Sequence, residues 1–230
     1  MAIKLYISQA NQAHNAGPGG YTEKAGMVAI SRRLAAEFKK DARFVTKRPV
    51  AGDRVDTASA NGIEANRWGA DYYVALHSNA GGSGARGTFG FYYSEASKGY
   101  PLAQAIVARV SPLSPGPNKA LIAKPGFIEL HTPKAPACLI EIEAHDWKTG
   151  VEFLTGKKNE IARAIYEGVC AGLGLKPVVD KPVVDWRPLK VEAIKVAKAT
   201  GVSYKGVTMA PRKGGPFEQL LRRIANYEGG

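Results

Sequence analysis

Apolar and polar positions alternate over residues 4–8, which predicts a β-strand. A loop rich in Gly, Asn and Gln follows over residues 9–21. Thr22 offers a helix N-cap, and Ala25, Val28, Ala29, Leu34, Ala35 and Phe38 then form an apolar stripe at helical spacing to about Lys40. Phe44 and Val45 predict a short second strand. Residues 56–68 read as a helix with Ile63 and Trp68 facing inward. Residues 71–77 are nearly continuously apolar, as in a strand buried on both faces. A glycine-rich loop at 81–87, a strand at 88–93 and a helix at 101–110 come next. The proline-rich stretch 111–125 reads as an irregular loop. Strands are expected at 127–130 and 137–143, and an amphipathic helix at 159–173 that ends at Gly172 and Gly174.

Strands alternating with helices predict an α/β fold: a twisted, mostly parallel sheet with helices on both faces. In such sheets ligands bind at the carboxyl ends of the strands. After Leu175 the sequence Lys-Pro-Val-Val-Asp occurs twice, at 176–180 and 181–185. This favours extended backbone and predicts a semi-rigid linker. The expected organisation is a catalytic domain at 1–175, a linker at 176–187 and a small basic C-terminal helical appendage at 188–230. Helices are expected within that appendage at 189–199 and 217–227.

Composition changes this picture in three ways. The 230 residues are 45% hydrophobic and 23% charged, which is ordinary for a soluble globular protein. No apolar run approaches the roughly 20 residues needed to span a bilayer, so no membrane span is expected. The start of the chain goes directly into a strand pattern without a leader, so the expectation is synthesis in the cytoplasm without a signal peptide. The net charge is +12, and residues 181–230 alone carry 10 Lys and Arg against 4 Asp and Glu. That balance favours a polyanionic partner or a solvated basic surface. The 2 cysteines, Cys138 and Cys170, read as buried reduced thiols.

Only 4 histidines occur, and one of them, His77, directly follows the apolar run Tyr72-Tyr73-Val74-Ala75-Leu76. Glu141 ends the strand beginning near Ala137, and His14 and Glu23 flank the turn from the first strand into the first helix. Two imidazoles and one carboxylate make a three-ligand zinc site with a position left open for water. A further glutamate outside the ligand set suits a general base, so the pattern points to a zinc hydrolase. Burial at a strand end would raise the Glu141 carboxyl towards neutrality. Each residue has a competing explanation. Glu23 suits a helix N-terminus through the helix dipole alone, and His14 sits in a polar loop. Glu143 points to the same side as Glu141 and rivals it as base. His145 rivals as a metal ligand, and His131 reads as a surface residue. Asn79 is a candidate for orienting substrate or for capping the strand end.

The stretches Tyr6-Ile7-Ser8-Gln9-Ala10-Asn11-Gln12, Thr22-Glu23-Lys24, Ala75-Leu76-His77-Ser78-Asn79-Ala80 and Pro136-Ala137-Cys138-Leu139-Ile140-Glu141 occur in an order that resembles one known family. It is the zinc-dependent N-acetylmuramoyl-L-alanine amidases of the third amidase type, found in autolysins and phage endolysins. The resemblance covers roughly residues 1–175. It implies Zn2+ bound by Glu23 and His77, with Glu141 as the catalytic glutamate. Many relatives supply the first ligand from a Gly-His-Gly turn, where this chain has Gln9-Ala10-Asn11-Gln12. A subgroup opening with Ser-Pro-Ser-x-Gln shows a similar departure. The first ligand is therefore assigned to His14, with His145 as the alternative. The resemblance further implies peptidoglycan as substrate and action on the cell wall after release. Anionic wall polymers are the expected partner of the basic C-terminal region, and no nucleic acid is expected.

Overall fold

The computed structural model describes residues 2–49 and 57–178, together with isolated helical positions at Lys195 and Ala199. The chain divides into two compact units, Met1–Val178 and Val179–Gly230. The elements of the first unit run in the order β1 (Ile3–Gln9), α1 (Glu23–Lys39), β2 (Phe44–Lys47), α2 (Ala58–Trp68), β3 (Tyr72–Asn79), β4 (Gly87–Tyr92), α3 (Gly99–Val110), β5 (Asn118–Ala123), α4 (Ile128–His131), β6 (Ala137–Ala144), α5 (Lys148–Gly156) and α6 (Lys158–Gly172).

The strands form one six-stranded sheet in the order β2-β1-β3-β6-β4-β5. Every neighbouring pair is parallel except β4 with β6, which is antiparallel. The architecture is the α/β class expected from the alternating pattern. Period-2 alternation sends Leu5, Ile7, Val74, Leu76 and Ile140 to one face, against Met27, Ile30, Leu34 and Phe38 of α1, Leu102 and Ile106 of α3, and Ile165 and Val169 of α6. Tyr6, Tyr73, Ala75 and Leu139 face the other side, against Ala65 of α2 and Leu130 of α4. The Tyr6 and Tyr73 rings stack there with centroids 5.5 Å apart. Phe38 has no exposed surface, so its truncation to Ala costs about 3–5 kcal/mol. α3 and α6 meet at Gly168, where a Cβ would stand 2.5 Å from the Ile106 Cα, so the helices approach at backbone distance.

Thr22 is the α1 N-cap, its side chain accepting from the Ala25 amide, and Cys138 and Cys170 are buried and free. Four expectations need correction. The stretch 111–125 contains β5, an edge strand with no fully buried residue, so burial never demanded the apolar alternation that marks a strand. Residues 127–130 form not a strand but the single turn α4, with Phe127 and Ile128 exposed. Ile63 is 43% exposed, not inward. α5 was not expected: Gly150 and Gly156 interrupt its short pattern.

The first residues of the expected linker are tied to this unit. The Lys176 carbonyl accepts from Arg43 at 2.8 Å, and the Val178 amide donates to the Tyr166 hydroxyl at 2.8 Å. The rest of the linker lies outside the described residues, as do the expected helices of the basic region apart from Lys195 and Ala199. Among the described residues, no helix is long and apolar enough to cross a membrane.

Candidate active site

The candidate residues gather towards the carboxyl ends of β3 and β6, the parallel neighbours at the sheet centre, and at the loop that follows β1. His77 lies one residue before the last two of β3, and its register partner on β6 is Glu141. Just beyond, the β3–β6 register shifts, so Asn79 pairs with Ala144. Glu23 opens α1 at the same rim. Capping by Thr22 fixes that first turn, and the carboxylate leaves the helix to meet β3. Glu23 Oε1 lies 3.0 Å from His77 Nδ1 and accepts the Ser78 amide at 3.1 Å, while Oε2 accepts from Asn15 Nδ2 at 2.6 Å. The helix dipole therefore accounts for only part of Glu23, which is 2% exposed and bonded across the chain.

On its other edge the His77 ring meets a second carboxylate. His77 Nε2 lies 2.6 Å from Glu129 Oε2, and Glu129 comes from the turn α4. Glu129 was not foreseen from the sequence. Its only signal is a charged residue set between apolar ones in Phe127-Ile128-Glu129-Leu130. With a carboxylate at each nitrogen, the free ring is a doubly protonated imidazolium. Burial opposes its charge, but Glu129 and Glu23 outweigh burial and hold the His77 pKa well above its ordinary value. Glu23 and Glu129 are held below the usual carboxylate range: burial pushes both up, and hydrogen bonds with charge attraction from His77 more than reverse it.

Glu141 is different. Its Oε2 is enclosed and has no hydrogen-bond partner. Burial pushes its carboxyl up to about 7, the His77 charge pulls the other way, and Glu23 and Glu129 reinforce the rise. A carboxyl poised there exchanges a proton near neutral pH. Glu143, the rival base, is completely buried and saturated: it accepts from the amides of Gly87, Ala144 and Gly116 at 2.7, 2.7 and 2.9 Å and from the Ser114 hydroxyl. It fastens the start of β4 and the loop before β5.

An open cavity of about 470 Å3 is lined by Gln12, His14, Glu23, His77, Glu141 and His145, among others. His14 is exposed at its rim. His145 is 3% exposed, and its Nδ1 lies 2.8 Å from the Ser78 carbonyl oxygen. A carbonyl only accepts, so Nδ1 carries a proton, which leaves Nε2 as the ring nitrogen that could offer an electron pair to a ligand. Tyr21 flanks His145 and contacts the Ser78 hydroxyl at 3.2 Å; burial pushes its phenol up to about 12. Asn79 lines the cavity too, and is also used locally: its Oδ1 accepts from the Ala80 amide at 2.9 Å. His131 is on the surface. The glycine-rich loop is pinned at the rim by Asp146, which accepts from the Gly81 and Gly82 amides at 2.9 and 2.7 Å.

These side chains suit a divalent cation. Ligands about 2.0–2.2 Å from a tetrahedral ion stand roughly 3.3 Å apart, close to the 3.0 Å between Glu23 Oε1 and His77 Nδ1. Three carboxylates surround one imidazole, and the imidazolium proton supplies the positive charge that an ion would otherwise bring. Gln12 Oε1 is also buried without a partner beside His14. Among the described residues, no three His, Cys, Asp or Glu side chains already form a metal cage. The structure pairs Glu23 with His77 directly and sets His14 and His145 along the same cavity.

The family model described as N-acetylmuramoyl-L-alanine amidase (Amidase_3) matches residues 9–171. No curated protein matches the chain. Among solved structures, the catalytic domain of CwlV, an N-acetylmuramoyl-L-alanine amidase from Bacillus (Paenibacillus) polymyxa var. colistinus, is similar at 18% identity and TM-score 0.64, over 76% of this chain and 100% of that one. An N-acetylmuramoyl-L-alanine amidase from Clostridium difficile 630 is similar at 22% identity and TM-score 0.65, over 75% and 97%. The catalytic domain of CD27L, an endolysin targeting Clostridia difficile, is similar at 22% identity and TM-score 0.61, over 76% and 98%. At these identities the structural matches establish a shared fold.

Proposed function

From the premise that this chain belongs to the N-acetylmuramoyl-L-alanine amidase family, we propose that it hydrolyses the amide joining the lactyl group of N-acetylmuramic acid to L-alanine, in a zinc-dependent reaction. The substrate on this reading is peptidoglycan, and the role is that of an endolysin or autolysin acting on the cell wall. Glu23 and His77 supply two donors to the metal, and His14 the third, with His145 Nε2 as the alternative. A bound zinc ion supplies Lewis-acid polarisation of the scissile carbonyl and a lowered pKa for water. Glu141 takes the proton from the attacking water and returns it to the leaving amine. Asn79 and the pinned 81–87 loop line the path for glycan and stem peptide.

The observation that carries this reading is Glu141. It is a register partner of His77, its Oε2 is enclosed without a partner, and its carboxyl is pushed up to about 7 beside the Glu23–His77 pair. A divalent charge nearby would lower that value, keeping the group ionised at neutral pH and ready to accept a proton. The test is wall hydrolysis by Glu141→Gln and Glu141→Ala, with zinc content measured on the same samples. Near wild-type rates at full zinc occupancy would end the assignment. Product analysis fixes the bond: amidase action frees an L-alanine amino terminus and leaves the lactyl acid on the sugar, whereas a stem-peptide peptidase leaves the lactyl–alanine amide uncut and produces neither.

A further inference from the structure

We infer that Glu129 is the positioning residue of this site: through His77 Nε2 it fixes the tautomer and the plane of the ring, so that Nδ1 presents its free pair to the metal. This rests on the zinc reading above.

Glu129 is 4% exposed, and Leu130 beside it packs into the cluster of Tyr6, Tyr73, Ala75 and Leu139. An apolar residue would suit that surrounding. A buried carboxylate loses several kcal/mol of solvation unless its oxygens are fully engaged. Here they are. Oε1 accepts from the Tyr73 hydroxyl at 2.8 Å and from the Ser8 hydroxyl, and Oε2 meets His77 Nε2 at 2.6 Å. Asn61 of α2 donates to the same Ser8 hydroxyl at 3.1 Å. Residues of β1, β3 and α2 thus hold the carboxylate in place.

When a metal takes Nδ1, the ring keeps one proton, which must then reside on Nε2. Glu129 is the acceptor waiting there. Such outer carboxylates orient a ligating histidine and raise the basicity of its other nitrogen. Within α4, Ile128 and His131 are exposed while Glu129 and Leu130 face inward, and the preceding Phe127 ring lies 5.3 Å from the Phe91 ring of β4. A purely structural account would make Glu129 a fastener of α4. The two accounts differ in what they predict for metal affinity in protein that is still folded.

The experiment is zinc affinity of the full chain by competition with a chromogenic chelator, for wild type, Glu129→Gln, Glu129→Leu and His77→Ala. Thermal unfolding is recorded for each. Glu129→Gln keeps an oxygen that accepts from Nε2 but loses the charge, and is expected to weaken zinc binding about 10–100-fold. Glu129→Leu is expected to weaken it further, and kcat is expected to fall with occupancy while KM for wall substrate stays fixed. Folded Glu129→Gln with wild-type zinc affinity overturns the inference, even if Glu129→Leu fails to fold. The underlying reading fails separately: wild type would then bind no zinc, or His77→Ala would bind it as tightly.

Discussion

Two glutamates two residues apart on β6 live in opposite surroundings. Glu143 is met by three backbone amides and a hydroxyl, from its own strand end, from the start of β4 and from the loop before β5. Glu141 has an enclosed oxygen with no partner and faces the cavity shared with Glu23 and His77. Both carboxylates belong to the same strand, Glu141 within it and Glu143 one residue before its last. A carboxylate with every acceptor site filled holds loops together and has nothing left to offer a substrate. One that is enclosed and unsatisfied keeps a raised proton affinity, which is what proton transfer requires. Chemistry is marked at this rim by the group whose bonding is left incomplete.

The contrast is broken most sharply by exchanging the two roles. Glu141→Gln is expected to lower wall hydrolysis by at least about 100-fold with zinc retained, measured as release of L-alanine amino termini. Glu143→Gln is expected to leave the rate per folded molecule near wild type while lowering unfolding free energy by roughly 2–4 kcal/mol, read from urea titration, because amides it now serves are left poorly paired. Equal losses of activity in both variants would erase the distinction.

Stability against pH sharpens it further. The Glu141 carboxyl sits at about 7 in the folded chain, against 4.5 as its ordinary value. The folded state therefore holds this proton more tightly than the unfolded state. Stability from this group is greatest below the unfolded value, declines as pH rises between the two, and levels off above about 7. The displacement corresponds to roughly 3 kcal/mol at most. Metal-free Glu141→Gln should thus be more stable than metal-free wild type at pH 8 and match it near pH 4, in denaturant titrations with chelator present. A constant difference across that range would contradict the burial account. The smallest effect is expected at Ile63, which is 43% exposed, where Ile63→Ser should change stability by less than about 0.5 kcal/mol.

How much of this was legible in the sequence follows the same physics. β1, α1, β3, β6 and α6 are legible because burial marks their own residues, as a helical stripe in α1 and α6 and as near-continuous apolar runs in β3 and β6. The parallel register of β3 and β6 then sets His77 beside Glu141, and the first turn of α1 brings Glu23 to the same cavity. β5 escaped because an edge strand needs no buried face, and the prolines at 115 and 117 before it read as loop. α4 imitated a strand, since Phe127-Ile128-Glu129-Leu130 carries apolar residues without helical period and spans one turn only. That error hid Glu129, whose contact with His77 depends on where α4 lies in space, which no local pattern encodes. Glu141 and Glu143 look alike in the sequence; what distinguishes their surroundings is the set of partners Glu143 finds on β4 and in the loop before β5.

The central claim is that Glu23 and His77 grip one metal ion beside Glu141. Crystals of the zinc-loaded chain, with anomalous scattering recorded at the zinc edge, test it most directly. The account predicts a single strong peak about 2.0–2.2 Å from both His77 Nδ1 and a Glu23 carboxylate oxygen, with His77 Nε2 still on Glu129. A peak elsewhere, or His77 Nδ1 still hydrogen-bonded to Glu23 in fully loaded protein, would contradict it.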